Sequence, residues 1–493
     1  MRSLSEKEIL SMAPNAAALS NARKISSGGG FIRRMRSADE SFYMGECKGS
    51  GKSNYIVSGD YIDEDNPVYR CSCPSRQFPC KHSLALMFEI AAGKEFKQGE
   101  IPQDILEKRE KKEAREAKKE QKKEQLANMS EDEKKAAAAK SAKSSKSARI
   151  KKIKKQLEGL DLMKKMTDQL LLSGLASMGS ISLKSYKDLS KQLGDYYLPG
   201  PQILFNRLII EMERYRKDQD SGHYKKAVEV LKRLRALEKK SKSYLEEKLE
   251  NDNPELDKDI LFEGLGGVWK LEQLAALGLE KKNARLIQLS FEEVYEEARK
   301  EYIDKAYWLD LESGEISYTA NYRPIKALKY VKQEDSCFDL LLVPGLCYYP
   351  GGLNKRIRWE SAKFSEIGKE ELLTARRHAH QEIESAVKIA KNELKNILSE
   401  EEAAMLIAFK RIVKGRDEKD EEVFLAQDSK GQCIELREKE GKEVQNALGL
   451  ILYRELMEDQ LLFGKIYYDQ ERGKICMKPC SILTERGIFR LEY

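Results

Sequence analysis

A chain of 493 residues with 41% hydrophobic side chains can bury cores for two to four domains. Its 35% charged content implies many solvated helix faces, and its longest apolar stretches, Leu340 to Pro344 and Leu448 to Tyr453, are too short to span a bilayer. Nine cysteines are too few for a disulfide scaffold, and the first thirty residues lack the apolar core of a secretion signal. The expectation is a soluble, cytoplasmic protein with reduced thiols and no membrane partner.

The formal net charge of +7 is unevenly placed. Residues 101–156 hold 19 Lys/Arg against 10 Asp/Glu, so the rest of the chain is slightly acidic. Any electrostatic attraction for nucleic acid must come from that segment.

In chain order, Ser5 and Glu8 fit a helix-capping box, and Asn15 to Ile25 reads as a second short helix. Strand-like runs follow at Phe31–Met35, Ser41–Cys47 and Asn54–Tyr61, the last two joined by a tight Gly/Ser/Lys connection. Val68 to Cys73 continues extended, and His82 to Ala92 is apolar enough for a buried helix. Asp104 to Gln125 suits a solvated helix held by ion pairs, and Asn128 to Ser147 a disordered tether. Helical periodicity then dominates: Ile150–Leu171, Leu183–Leu193, Gln202–Arg216, Tyr224–Leu249 and Phe291–Tyr302. Ile150, Ile153, Leu157 and Leu160 form a seam of barely two heptads, which favours packing within the chain over a coiled-coil dimer.

Strands are predicted at Ala306–Leu311, Glu315–Thr319, Phe338–Val343 and Arg356–Trp359. Helices follow over Glu370–Leu398 and Glu401–Val413. The strands resume at Val423–Gln427, Cys433–Arg437, Phe463–Tyr468, Lys474–Met477 and Gly487–Glu492, interrupted by a helix over Glu443–Met457. No fixed-period repeat is visible. The fold class is therefore α+β in four parts. A small N-terminal α/β module spans 1–100, and a basic charged linker, partly helical or disordered, spans 101–149. A helical region covers 150–300, and a mixed α+β region 301–493.

The strongest chemical signal is Cys71-Ser-Cys73, then six residues, then Cys80-Lys-His82. On a strand, residues two apart point the same way, so Cys71 and Cys73 can offer two sulfurs to one point. Cys80 and His82 stand at the entrance to the apolar helix, whose partial positive charge favours a thiolate. Three thiolates and an imidazole make a closed tetrahedral set for one structural zinc ion, with no position left for a reactive water. Arg70, Arg76 and Lys81 flank the set and offset its charge.

This C-x-C-x6-C-x-H order resembles the SWIM zinc finger. The segments GECKGSGKSNYIV and CSCPSRQFPCKHSLAL, with the later YIDKAYWLDLESGEI, NYRPIKAL and PGGLNKRIRWE, resemble the bacterial SWIM zinc finger family proteins. The resemblance implies a zinc-stabilised module that binds DNA or protein. It also implies association with MoxR-type AAA ATPases and von Willebrand A-domain proteins.

Other features are weaker. Gly51-Lys52-Ser53 lacks the earlier glycine of a phosphate loop, where Glu46 stands, and precedes a strand in place of a helix. His378 and His380, two apart on a predicted helix, cannot share an ion, and His223 has no ligand-spaced neighbour. Cys476 and Cys480 read as core residues. Lys134 to Lys155 holds ten Lys/Arg, no acid and no aromatic residue: a solvated tether, or a contact to a phosphate backbone without base stacking. No nucleophile, base or cofactor loop stands out, so the expectation is a non-catalytic adaptor that binds nucleic acid or a protein. A DNA-binding regulator is the alternative, and an enzyme with its site in the carboxyl-terminal region ranks last.

Overall fold

The computed structural model describes residues 4–13, 16–49, 54–63, 67–73, 79–110, 113, 131–178, 180–251, 253–328, 331, 333–417, 420–438, 448, 454–470 and 472–491. The predicted Gly51-Lys52-Ser53 turn and most of the predicted Glu443–Met457 helix lie outside these. The chain divides into two compact units, Met1–Ala142 and Lys143–Tyr493.

In the first unit, helix α1 (Glu6–Met12) starts at the predicted capping box. The Ser5 side chain accepts from the Glu8 backbone, and Glu8 reaches back to the Ser5 N–H at 2.8 Å. After α2 (Ala16–Ser27) come strands β1 (Phe31–Arg36), β2 (Phe42–Cys47), β3 (Tyr55–Asp60) and β4 (Val68–Cys71), then helix α3 (Lys81–Ala91) and strand β5 (Lys97–Gln98). The sheet order is β4-β3-β2-β1-β5, antiparallel except where β5 joins β1 in parallel. One sheet face carries Phe31, Tyr43, Val57 and Tyr69 against Leu84, Leu86 and Met87 of α3. A helix over residues 103–110 (α4) extends the unit past the predicted start of the linker. Its Ile105 packs with Met35 and Phe42, and Arg109 reaches the buried Asp60 carboxylate at 2.8 Å and the Ser41 hydroxyl at 3.0 Å.

The second unit begins within a long helix, α5 (Glu131–Ser173), so residues 131–147 are helical where disorder was expected. With α6 (Ser180–Asp195), α7 (Pro199–Asp218), α8 (Ser221–Glu250) and α9 (Ile260–Gly264) it forms a bundle cored by Leu160, Met163, Phe205, Leu208, Met212 and Leu234. Ile153 and Leu160 of the short heptad seam are buried in that bundle.

After α10 (Leu271–Ala276), strands β6 (Glu280–Glu296), β7 (Glu301–Asp310), β8 (Ile316–Pro324), β9 (Leu340–Tyr348) and β10 (Ile357–Arg358) follow, with β11 (Lys363–Ser365) paired to β9. Strand β6 is long enough to pair with β9 along its first half and with β7 along its second. A parallel bridge from Tyr318 of β8 to Arg356 beside β10 closes the circuit. Helices α11 (Lys369–His378) and α12 (Ile383–Leu394) lead to a second set, β12 (Ala403–Arg416), β13 (Glu422–Gln427), β14 (Cys433–Leu436), β15 (Glu458–Asp469) and β16 (Lys474–Thr484), with β17 (Gly487–Arg490) on its edge. Strand β12 likewise pairs with β15 and then β13, and β14 meets β16 in parallel. Both sets therefore follow the strand order 1-2-3-5-4-1, the Greek-key barrel of the OB-fold. The repeat is topological, and no sequence period betrays it.

Three segments depart from the sequence expectations. Phe291–Tyr302, predicted helical, is a hairpin of β6 and β7, in which Tyr295 faces Tyr302 with ring centroids 5.1 Å apart. Glu401–Val413, also predicted helical, is mostly β12. Its unbroken apolar run arises because both strand faces are buried: Met405, Ile407 and Phe409 inside the second barrel, Ala404 and Leu406 against the first. The single helix expected over Glu370–Leu398 is two helices. Between them His380 bridges to β12, with Ala408 N–H donating to the His380 carbonyl at 2.8 Å. No described helix is long and apolar enough to cross a membrane.

Candidate metal centre

Strand β4 delivers Cys71 to the sheet face that looks at α3, opposite Val57 of β3. The strand proper ends there, but Ser72 prolongs the pairing by one residue. Its N–H donates to the Ile56 carbonyl, and its hydroxyl accepts from the Ile56 N–H, each at 2.9 Å. Cys73 is thereby held one step beyond Cys71 on the same side. The two-residue spacing is realised half by the strand and half by a serine clamp that the motif alone does not announce.

Cys80 is the N-cap of α3. Its sulfur accepts from the Ser83 backbone N–H at 3.4 Å and lies 3.4 Å from the Ser83 hydroxyl. His82 occupies the first turn, buried, with its ring 4.9 Å from that of Tyr55. The helix is fixed from below by its apolar face and by Glu89. That fully buried carboxylate accepts from the Ser26 hydroxyl at 2.6 Å and pairs with Arg34.

The ligand atoms of Cys71, Cys73, Cys80 and His82 all lie within 4.8 Å of one another. His82 Nδ1 stands 3.9 Å from both the Cys71 and the Cys80 sulfur. A tetrahedron with Zn–S near 2.3 Å and Zn–N near 2.1 Å has edges of about 3.6–3.8 Å, so the set fits one zinc ion with little adjustment. The donor chemistry agrees: three soft sulfurs and one imidazole select zinc over hard cations. A hydrogen bond from Cys71 holds the Cys80 thiol well below its ordinary value, against the opposing effect of burial and with help from His82 and Ser83. Donating that bond, together with burial, pushes the Cys71 thiol up.

The structure also places Cys47 close by, which its position in the sequence did not suggest. It is buried at the end of β2 facing Tyr55, and burial pushes its thiol up, reinforced by the nearby Cys80 and Cys73. It lies outside the four-atom set. Of the weaker signals, His223 bonds Glu211 at 2.7 Å, and His378 bonds the Leu311 carbonyl at 3.0 Å. Cys476 and Cys480 are core residues. Strand β3 begins at Tyr55, just after the Gly51-Lys52-Ser53 segment, where a phosphate loop would open a helix.

Residues 60–91 match the family model of the SWIM zinc finger, a span that contains all four residues of the cluster. No curated protein matches the chain. Among solved structures, one titled "Structure of murine DNA binding protein bound with ds DNA" is 12% identical, covering 43% of this chain and 98% of its own, with a TM-score of 0.22. The metal cluster and the family match coincide on one segment: residues 60–91 are a SWIM zinc finger, with a four-residue Cys/His cluster suited to one structural zinc ion.

Proposed function

We propose that Cys71, Cys73, Cys80 and His82 hold one zinc ion and that the unit around it is a non-catalytic recognition module. The closed donor set supports this reading. Four ligands complete a tetrahedron, so the ion has no open position for water or substrate, and its role is to tie the start of α3 to the end of β4. The chain then acts in the cytoplasm as an adaptor. Its partner is a protein, for which the family resemblance suggests a MoxR-type AAA ATPase or a von Willebrand A-domain protein.

The second reading, a DNA-binding regulator, draws support from the basic run Lys134–Lys155, which lies on α5. Affinity capture with the full chain separates the two. The bait is wild type or Cys71→Ser with Cys73→Ser, and each is used with and without nuclease. A stoichiometric protein retained only by the wild-type bait, and resistant to nuclease, supports the adaptor. Nuclease-sensitive capture supports the regulator. Identical capture by both baits removes the zinc module from either role.

A further inference from the structure

The first barrel carries a cleft of about 780 Å3 on its outer face. Its floor is the stretch of β7 and β8 that presents Lys305, Tyr318 and Tyr322. Arg299, in the β6–β7 turn, and Arg356, in the β9–β10 connection, stand at its edges. Strands two and three, with these two connections, are the surface on which OB-folds receive oligonucleotides and oligosaccharides. Fold alone does not establish a ligand; the side chains on this face decide what it can take.

Cations and tyrosine rings alternate across this face. The Lys305 ammonium lies 4.5 Å from the centre of the Tyr318 ring, and the Arg299 guanidinium 5.4 Å from that of Tyr322. Arg356 stacks at 3.9 Å on Tyr349 and donates to the Tyr322 hydroxyl at 3.4 Å, while its Nε–H is buried without a hydrogen-bond acceptor. The nearest carboxylate paired with Lys305 is Glu400 at 3.9 Å, beyond hydrogen-bond reach. Rings that can stack beside cations that can meet phosphate are what a single strand requires, whereas a neutral sugar needs no cation.

We propose that this cleft receives a short single-stranded nucleic-acid segment, its bases on the tyrosines and its phosphates on Lys305, Arg299 and Arg356. Among the described residues, six glutamates line the cleft beside seven Lys/Arg, and Arg299 already pairs with Glu301 at 3.0 Å. Glu292 lies 2.6 Å from Lys465, and Glu263 lies 3.0 Å from Arg356. Binding is therefore led by stacking. With three phosphate contacts the salt slope is shallow, about −2 on a log–log plot.

The test is fluorescence anisotropy of a labelled ten-nucleotide oligo-dT on the full chain. Variants are Tyr322→Ala, Lys305→Met and the turn variant Arg299→Ala, each checked by thermal melting. Photo-crosslinking of a 5-iodouracil oligomer to the wild type, with peptide mapping, needs no variant. The proposal expects saturable binding, weakened about 10-fold or more by Tyr322→Ala, and crosslinks on β7 and β8. Cys71→Ser with Cys73→Ser should leave those crosslinks in place, which separates this site from the zinc module. Absence of binding, equal affinity in folded variants, crosslinks confined to residues 134–155, or displacement by maltohexaose would each overturn it.

Discussion

Replacing Cys71 and Cys73 by serine removes half of the donor set and should unfold the first unit without disturbing the second. Structural zinc sites contribute on the order of 10 kcal/mol to small domains. Whole domains are stable by only about 5–15 kcal/mol. The loss therefore approaches the entire stability of the unit. The geometry says where it falls. Cys71 and Cys73 terminate β4, Cys80 and His82 begin α3, and α3 supplies Leu84, Leu86 and Met87, all fully buried in that core. In the double variant the Cys80 sulfur and the His82 imidazole are left buried without the ion that held them. Elemental analysis should give about one zinc per wild-type chain and close to none in the double variant. Calorimetry should show two transitions in the wild type and only that of the second unit in the variant. Cys433→Ser, an exposed cysteine, serves as the matched control. Zinc retained at wild-type stoichiometry, or a first-unit transition that survives metal loss, would refute the reasoning.

Arg109→Met strands the buried Asp60 carboxylate beside the more distant Arg70, at 3.6 Å, and should cost the first unit about 3–5 kcal/mol, read by denaturant titration. Gly200→Ala favours the helix by about 1 kcal/mol, but its Cβ would collide with the Gly264 carbonyl oxygen. Overpacking against backbone costs about 1–3 kcal/mol, so a net lower melting temperature is expected. Burial lowers the His380 pKa below 6.5, so the unfolded chain takes up this proton first. Its contribution is intact above about pH 6.5 and is lost as pH falls below it, down to the folded pKa. The second unit should therefore melt lower at pH 5.5 than at pH 7.5, and His380→Gln should flatten that difference.

The zinc ligands were legible because metal chemistry demands particular residue types at tight spacing, and little else satisfies C-x-C-x6-C-x-H. The supports around them were not. Ser72, Ser83 and Cys47 are ordinary residues whose roles depend on strand register and on the helix start. Arg109 sits in a charge-rich run that looks wholly solvated, yet its guanidinium is buried on Asp60. The two misread strands failed for opposite reasons. Phe291–Tyr302 is rich in Glu, a good helix former, but its charges are taken up by partners such as Arg207, which holds Glu296 at 2.5 Å. Glu401–Val413 lost its alternation because it is buried on both faces, and an apolar run of that length does not distinguish strand from helix.

The two barrels share a strand order but not an available face. In the second, Arg472 in the β15–β16 connection bonds Asp417 and Glu421 in the β12–β13 connection, at 2.5 and 3.1 Å. Arg437 and Lys474 meet on Glu435 of β14, which is buried between them. Ion pairs thus bridge the mouth where an OB-fold takes its ligand. In the first barrel the corresponding cations turn elsewhere, Arg299 to Glu301 at 3.0 Å and Arg356 to Glu263 at 3.0 Å. The far end of that face is covered by the second barrel, through Tyr307, Leu309, Leu406 and Phe463. What stays open is the end bearing Tyr318, Tyr322 and Lys305. One barrel has spent its loops on internal pairing and serves as a wall; the other keeps a cleft that the wall and the helices of the bundle partly enclose. Under the proposed binding, one barrel is the support and the other the receptor, and the difference between them lies in the loop charges, not in the strand order.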